Sequence, residues 1–506
     1  MGIVLSTLPT LPSQQLSAQC PNGAPPPCSR ALVTPPPTSV AVLYFDNLSP
    51  DTADAYLAEG LTEEMIARLG GIDRLIVSSR TAAQRFRGRM ASDPAALGRA
   101  FGVAHLVSGS VRRAGTRLRV TVELVRAATG IRVWGEQYDR SDADLLAIEA
   151  DIATAVATAI AGRLLPGQRA SLAARPTSNP RAYDYYLRGN RDLAMRAAPA
   201  TARAIREYEA AARLDPRFAR AFARAAFGYA LFPAFPWRHP TLPPDSLLAR
   251  SAAAVDRALQ VDSTCSDAWM VRAFLLYLSA DAGFARIQAA FERAVALDPK
   301  NDEAWQLYGI AARGFDEDSV VRHAMERALS LEPQRPVTLA RLAELEWIQG
   351  RYADAGRLLD SAIAIDPGFY LAYWNRALLR LGTGEPTAAR SDAEAALRLS
   401  AGDSLVELGL ALVEATTGDT ARARARVRRF WRVGRDTLHP SALEAAFAAQ
   451  VYVALGEDAR AFALLEGVRN WPSRVRYMLR FPTFDAVRPT PRFQRLFAAA
   501  RPPGTR

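Results

Sequence analysis

Hydrophobic and polar positions recur along this chain with two different periods, and the change of period divides it. From Ser39, the run SVAVLYF is apolar on both faces, as a strand covered on each side requires. Glu59 to Leu69 changes to the helical period, with Leu61, Met65 and Leu69 on one stripe. Thr62 is placed to cap that helix, where carboxylates near the start favour the dipole. LIVSS at 75–79 predicts a second strand, and Asp93-Pro94 opens a second helix, since a proline in the first turn loses no hydrogen bond. Three strands then follow in a row. Leu118, Val120, Val122 and Leu124 share one face of the middle strand, and Arg117, Arg119, Thr121 and Glu123 share the other. That alternation marks a half-exposed antiparallel hairpin or meander. A helix from about Asp144 to Leu165 closes the unit.

The second half repeats. AARLDP, AVALDP, ALSLEP and AIAIDP place prolines at 216, 299, 333 and 367, the last three 34 residues apart, and AALRLSA reaches Ala401 after another 34. A period of 34 means two antiparallel helices per unit, stacked because no unit buries its apolar face alone. In one copy Trp305, Tyr308, Gly309, Met325 and Ala328 fall where the two helices interlock; in the next, Leu339, Leu342, Ala343, Ala355, Leu359 and Ala362 do. The predicted fold class is therefore a mixed-sheet α+β domain followed by an all-α superhelix, an α-solenoid. The expected divisions are a Pro-rich segment 1–38, the α/β domain 39–165, and a linker 166–180. An array of seven to eight helix pairs over 181–470, with an insert near 231–244, and a capping segment 471–506 complete it.

Composition changes this picture little. The 506 residues carry a net charge of +11, mostly as arginine scattered along helices. Such a balance permits contact with acidic partners, but no zinc-finger spacing or recognition helix suggests specific nucleic-acid binding. The run Arg422 to Arg429 alternates with period two, which spreads charge around a helix. No segment has the ~18–20 apolar residues that span a bilayer. The N-terminal segment lacks a basic n-region and a full h-region, so it reads as a signal-peptide remnant whose start lies further upstream. Cys20 and Cys28 form a disulfide if the chain is exported and stay idle thiols if it is not; a periplasmic location is the favoured expectation over a cytoplasmic one. Cys265 is expected to pack among helices.

Candidate chemistry is sparse. GxGxxG and GxxxxGK[ST] are absent, so phosphate cradling and a nucleotide cofactor are unsupported. His105, His239, His323 and His439 fit no metal-ligand spacing. Asp46, Glu59, Glu63 and Glu64 are the carboxylates best placed for acid–base work, Glu59 and Glu63 being i and i+4 on one helix face. The simpler reading makes them turn and first-turn residues, with Gly60 easing the chain into its helix. Ser108 and Ser110 lie in a strand without a GxSxG context. The expectation is a chain with no catalytic, metal or cofactor residues.

The pieces SVAVLYFDNLS, YLAEGLTEEMIARL, LIVSSRTAAQRFRG, ALGRAFGVAHLVSGSVRRAGTRLRVTVELVRAATG and RVWGEQYDR resemble the TolB-like N-terminal domain that precedes tetratricopeptide (TPR) arrays in many bacterial proteins. FDAVRPTPRFQRLF is similar to the C-terminal end of such proteins. The resemblance implies recognition rather than catalysis. Relatives often carry a winged-helix, kinase or cyclase domain in front; here about 38 residues precede the unit, without HRD, DFG or a helix-turn-helix. The expected function is a protein-interaction scaffold whose TPR groove holds a partner peptide or helix, with Arg272, Arg341 and Arg376 as groove contacts. Phe235 and Trp237, in the insert, either touch a partner or fill a gap between repeats. The alternative is a signalling or transcription-linked sensory module acting through a separate effector chain.

Overall fold

The computed structural model describes residues 35–87, 93–235, 237–279, 282–400, 403–432, 441–468 and 471–500. Cys20, Cys28 and His439 lie outside them. The N-terminal domain runs β1 (Ser39–Val42), β2 (Asp46–Asn47), α1 (Ala55–Gly70), β3 (Ile76–Val77), α2 (Arg80–Arg85) and α3 (Pro94–Phe101). It continues with β4 (His105–Ala114), β5 (Arg117–Arg126), β6 (Arg132–Ser141), α4 (Leu145–Ala161) and α5 (Pro166–Ala173). The sheet order is β3-β1-β4-β5-β6, with β2 also pairing with β4. Every position of β1 is buried, because β3 and β4 flank it in parallel and helices cover its faces. The three consecutive strands are antiparallel, and β5 alternates buried and exposed positions as its sequence pattern requires.

Helix α1 starts at Ala55, a turn earlier than its hydrophobic stripe indicates, and Leu61, Met65 and Leu69 are fully buried. Thr62 is therefore not a cap. It lies mid-helix, donating to the Ala58 carbonyl at 2.8 Å and accepting from the Phe45 N–H at 3.0 Å, which ties the helix to the chain leaving β1. No acidic side chain stands in the first turn of α1. Gly60 is inside the helix as well, and its lack of a side chain has another use: a Cβ there would lie 2.9 Å from Leu187 Cδ2. The segment 166–180, read from the sequence as a linker, carries α5, whose Leu172 is buried. The Arg68 Nη1 donates to the carbonyls of Leu172 and Ala174 at 2.5 and 3.1 Å.

Helix pairs then stack. They are α6 (Pro180–Ala194) with α7 (Ala198–Leu214), α8 (Ala219–Ala234) with α9 (Pro244–Val261), and α10 (Ser266–Leu278) with α11 (Phe284–Leu297). Next come α12 (Asp302–Ala312) with α13 (Asp318–Leu331), α14 (Pro336–Ile348) with α15 (Tyr352–Ile365), and α16 (Tyr370–Gly382) with α17 (Pro386–Leu399). The last are α18 (Ser404–Thr416) with α19 (Thr420–Arg432) and α20 (Ala442–Ala454) with α21 (Asp458–Gly467). First helices pack on the first helices of neighbouring pairs (α8 on α10 on α12, α14 on α16 on α18 on α20), which puts them on the inner, concave side of a TPR-like solenoid. The interlock at Gly309 is as its sequence context demands, since a Cβ there would lie 2.9 Å from Met325 Cε. The insert begins inside a helix, because α8 continues through Pro233. A short helix α22 (Ser473–Arg476), a 3-10 turn Tyr477–Arg480 and α23 (Pro491–Ala499) follow.

The domain and the solenoid share one hydrophobic core, from the sheet through α1 and α4 to α14. Between them lies a buried polar node. Tyr183 of α6 donates to both carboxylate oxygens of Glu149 on α4 at 2.9 and 3.1 Å, while Arg68 pairs with Glu64 at 2.9 Å and lies 3.7 Å from Glu149. Burial first, then the Glu64 charge, pushes the Glu149 carboxyl well above the usual carboxylate range. Lys300, the only lysine of the chain, reaches from the α11–α12 turn to the Gly70 carbonyl.

Candidate functional site

The inner face of the solenoid holds a piece of the chain itself. Helix α22 touches α10, α20 and the 3-10 turn Arg313–Phe315 that ends α12, all first-helix elements. Val475, Met478 and Phe481 are buried there, Phe481 with its ring centroid 4.9 Å from that of Trp347 on α14, while Leu479 is buried in a separate cluster with α20, α21 and α23. The Arg313 guanidinium covers the Tyr477 ring at 4.2 Å and pairs with the buried Glu344. Arg480 makes a two-pronged pair with Asp318, both contacts 2.7 Å, and Arg476 reaches Asp316 at 2.6 Å. Burial would raise the Asp318 carboxyl, but hydrogen bonds from Arg480 and Gln349 outweigh it and hold it below its ordinary value.

Asp316 shows how the sequence builds this seat. The turns from first to second helix use a residue of positive φ, the left-handed cap that favours glycine. Gly350, Gly384, Gly418 and Gly456 fill that place, with φ between 71° and 90°. At 316, one 34-residue period before Gly350, the chain has an aspartate with φ 63°. A non-glycine residue there costs roughly 1–2 kcal/mol, somewhat less for aspartate. Its carboxylate faces Arg476 and Arg480 across the groove, 2.6 and 3.5 Å away. The one other positive-φ residue besides glycine among the described residues, Arg196 in the α6–α7 turn, likewise makes a long-range pair, with Glu303. Glu303 also takes Arg224 at 2.9 Å. Burial opposes its ionisation, but Arg196, Arg224 and Arg335 together hold its carboxyl far below the usual range.

The residues read as groove contacts are placed differently from one another. Arg341 is tied to Glu344 at 2.5 Å, the same carboxylate that Arg313 engages. Arg376 is engaged by Asp392 through two bonds, at 2.7 and 2.8 Å, and by Asp360 at 2.7 Å. Arg272 is more exposed and pairs with Asp256, lying over the Trp269 ring. Phe235 is half exposed and stacks on Trp237 with centroids 4.7 Å apart, and Trp237 packs edge-on to Phe232. The structure thus brings Arg341 to the occupied part of the groove and leaves Arg272, Arg376 and the Phe235–Trp237 pair apart from it. Sequence reasoning missed Asp316, Asp318, Arg476 and Arg480; the aspartate at a glycine phase of the repeat was the available signal.

The carboxylates of the first domain separate. Glu59 and Glu63 line a cleft of about 380 Å³ between the domain and α6, with Tyr44, Arg80, Arg87 and Arg191. Both are held by arginines there: Glu59 by Arg87 and, at 3.6 Å, Arg191, and Glu63 by Arg80 at 3.5 Å. Asp46 is exposed on β2 and is not among the residues lining this cleft, and Glu64 belongs to the buried node with Arg68. Ser108 donates to Glu123 at 3.2 Å. His239 accepts from the Thr241 and Leu242 N–H groups, and His323 packs edge-on to Trp305. Among the described residues no cluster of His, Cys, Asp or Glu is placed to hold a metal ion, and no helix is long and apolar enough to cross a membrane. Two arginines of α19 make internal pairs, Arg424 with Glu457 at 2.7 Å and Arg426 with Glu414 and Glu407 at 2.8 and 3.0 Å, while Arg422 and Arg429 stay mostly exposed. Cys265 is buried at the start of α10, which pushes its thiol up to about 12.

No family model matches the chain. Over 194 residues it is 31% identical to "Putative adenylate cyclase 3" of Rhizobium meliloti (strain 1021), a match covering 37% of this chain and 33% of that protein. The chain thus spans about a third of the length of the curated relative it matches. Among solved structures, yeast Tom70 aligns at 13% identity over 70% of this chain and 82% of its own, with a TM-score of 0.38. PilW, a type IV pilus biogenesis factor, aligns at 15% identity over 55% and 97%, with a TM-score of 0.32. Lipoprotein GNA1162 from Neisseria meningitidis aligns at 19% identity over 25% of this chain and 99% of its own, with a TM-score of 0.19. Likenesses of this size carry nothing about partners. From its own geometry, the chain is an N-terminal mixed α/β domain followed by a TPR-like α-solenoid.

Proposed function

We propose that this chain is a non-catalytic protein-interaction scaffold. Its TPR groove takes a peptide or short helix of a partner, and its first domain, read as TolB-like, offers a second docking surface. The observation that carries this reading is the segment Val475–Phe481, a short stretch of chain held side chain by side chain on the inner face of the solenoid. A surface that seats one such segment has the polar and aromatic contacts that peptide recognition uses. Phe235 and Trp237 form a further contact point outside the groove. Crosslinking of the natively expressed chain, followed by capture from separated periplasmic and cytoplasmic fractions, tests the reading. Recovery of a stoichiometric partner crosslinked to the solenoid supports it. A chain that crosslinks only to itself in both fractions refutes it. Export, with a Cys20–Cys28 bridge, belongs to the same proposal and fails if the chain is recovered from the cytoplasm.

The second reading, a regulatory module acting on a separate effector chain, is favoured by the 194-residue likeness to a protein named as an adenylate cyclase. It predicts a cyclase, kinase or transcription regulator as the captured partner.

A further inference from the structure

The acidic turn Asp316–Asp318 and the inner-face side chains beside it select a particular kind of segment. Two carboxylates accept two guanidinium groups four positions apart, at 476 and 480, either side of the step from α22 into the 3-10 turn. Arg313 offers its flat face to an aromatic at 477, and Trp347 takes one at 481. An acidic segment is repelled by the same aspartates. We propose that this seat is a docking site for a partner segment with two arginines four positions apart and an aromatic following the second, filled in the free chain by its own Arg476–Phe481. This rests on the scaffold reading and specifies which part of the groove binds and what it selects.

Two features make the bound segment exchangeable rather than a permanent part of the core. Asp316 holds a strained backbone where the repeat uses glycine, so the carboxylate is retained against a conformational cost. Arg476 is 1% exposed, yet its Nε and Nη2 meet no acceptor, and Arg313 Nε is in the same condition. Such unmet donors raise the energy of the closed arrangement. The segment is also a strap anchored on both sides. Trp471 packs against the solenoid before it, and Phe484, Phe493 and Leu496 pack on α20 and α21 after it. To leave the groove it must also give up the Leu479 contacts with that cluster, the Arg476 contact with the Phe497 ring, and the Arg488 bonds to the carbonyls of Leu479, Arg480 and Phe481 at 3.2, 3.0 and 2.8 Å.

The probe is a fluorescent peptide of the sequence SRVRYMLRFPTF, residues 473–484, titrated against the full chain by anisotropy. The tethered segment competes at an effective concentration of roughly millimolar, so the wild-type chain should bind the peptide weakly. In Arg480→Ser/Phe481→Ser the internal segment is loosened and the seat is intact, so affinity should rise about tenfold or more. Adding Asp316→Gly and Asp318→Asn should return it to the wild-type level. A loosened chain that binds no better, or a seat variant that binds as well, overturns the proposal. Hydrogen exchange on the unmodified chain decides independently of whether the variants fold. Amides of 475–481 should exchange faster than those of α10 and α14, whereas exchange at the rate of those helices overturns it. A partner captured by the chain but not displaced by the peptide leaves the scaffold reading standing and refutes this site.

Discussion

Replacing Gly409 by alanine tests whether the first helices of neighbouring repeats are as tightly interlocked as the geometry indicates. A Cβ at this position of α18 would fall 1.4 Å from Trp374 Cζ3 and 1.6 Å from Cη2, on the adjacent first helix α16. Carbon atoms in contact stay about 3.5–4 Å apart, so no small adjustment accommodates it. Trp374 is 6% exposed, and its ring also meets Phe447 edge-on at 5.4 Å, so it is closely packed. The indole must leave its site, forfeiting about 3–5 kcal/mol, while removing a glycine from a helix interior returns about 1 kcal/mol. The expected net loss is about 2–4 kcal/mol. Gly356→Ala is the matched control. It lies in α15, where a Cβ would meet Leu379 Cδ2 at 3.7 Å, an ordinary contact. It should stabilise by about 0.5–1 kcal/mol. Urea unfolding followed by circular dichroism, with each variant compared at the transition that includes its own repeat, measures both. Gly409→Ala combined with Trp374→Leu should recover part of the loss. A Gly409→Ala chain as stable as the Gly356→Ala chain would refute the reasoning.

The buried node between the domain and the solenoid should respond to pH. Because the Glu149 carboxyl is raised, its contribution is present at low pH and lost as pH rises through the raised value. Glu149→Gln should flatten that dependence in denaturation at pH 5 and 8, and an unchanged slope would contradict it. Glu149→Leu should cost about 1–3 kcal/mol, because it leaves the Tyr183 hydroxyl without an acceptor. The opposite sign holds for Glu303 and Asp318, whose lowered carboxyls add stability above the ordinary carboxylate range and lose it as pH falls. Solenoid stability should therefore drop below about pH 4, less so in Asp318→Asn; identical acid sensitivity in both chains would refute it. Among the arginines, Arg376→Ala leaves the buried Asp392 with Arg380 alone and should cost about 1–3 kcal/mol. Arg272→Ala frees an exposed Asp256 and should change stability by about 0.5 kcal/mol or less, and equal effects would contradict the difference in burial.

The sheet and the solenoid were readable from the chain because their signals are local. The alternation in β5 and the stripe Leu61, Met65, Leu69 each follow from the geometry of one element. The 34-residue period follows from one helix pair repeated. Where local signals compete, the reading slipped. Thr62 and two glutamates look like a helix start, but the apolar Ala55, Tyr56, Leu57 and Ala58 extend α1 by a turn because Tyr56, Leu57 and Ala58 are buried. Gly60 looked like a loop residue and proved to be a space kept for Leu187, a contact 127 positions away that no window of sequence contains.

The same distinction governs the candidate site. The sequence holds an aspartate at 316, one period before Gly350, and the structure shows that its left-handed backbone must be offset. What offsets it was not visible. In a chain this rich in arginine, Arg476 and Arg480 carry no mark that separates them from the rest, and they lie 160 and 162 positions from the carboxylates they meet. Periodicity reports which face of an element is buried. The curvature accumulated over eight helix pairs decides which distant segment comes to lie against that face. Small rotations per repeat add up to bring the end of the chain back inside the superhelix, and only folding of the whole array assembles that seat.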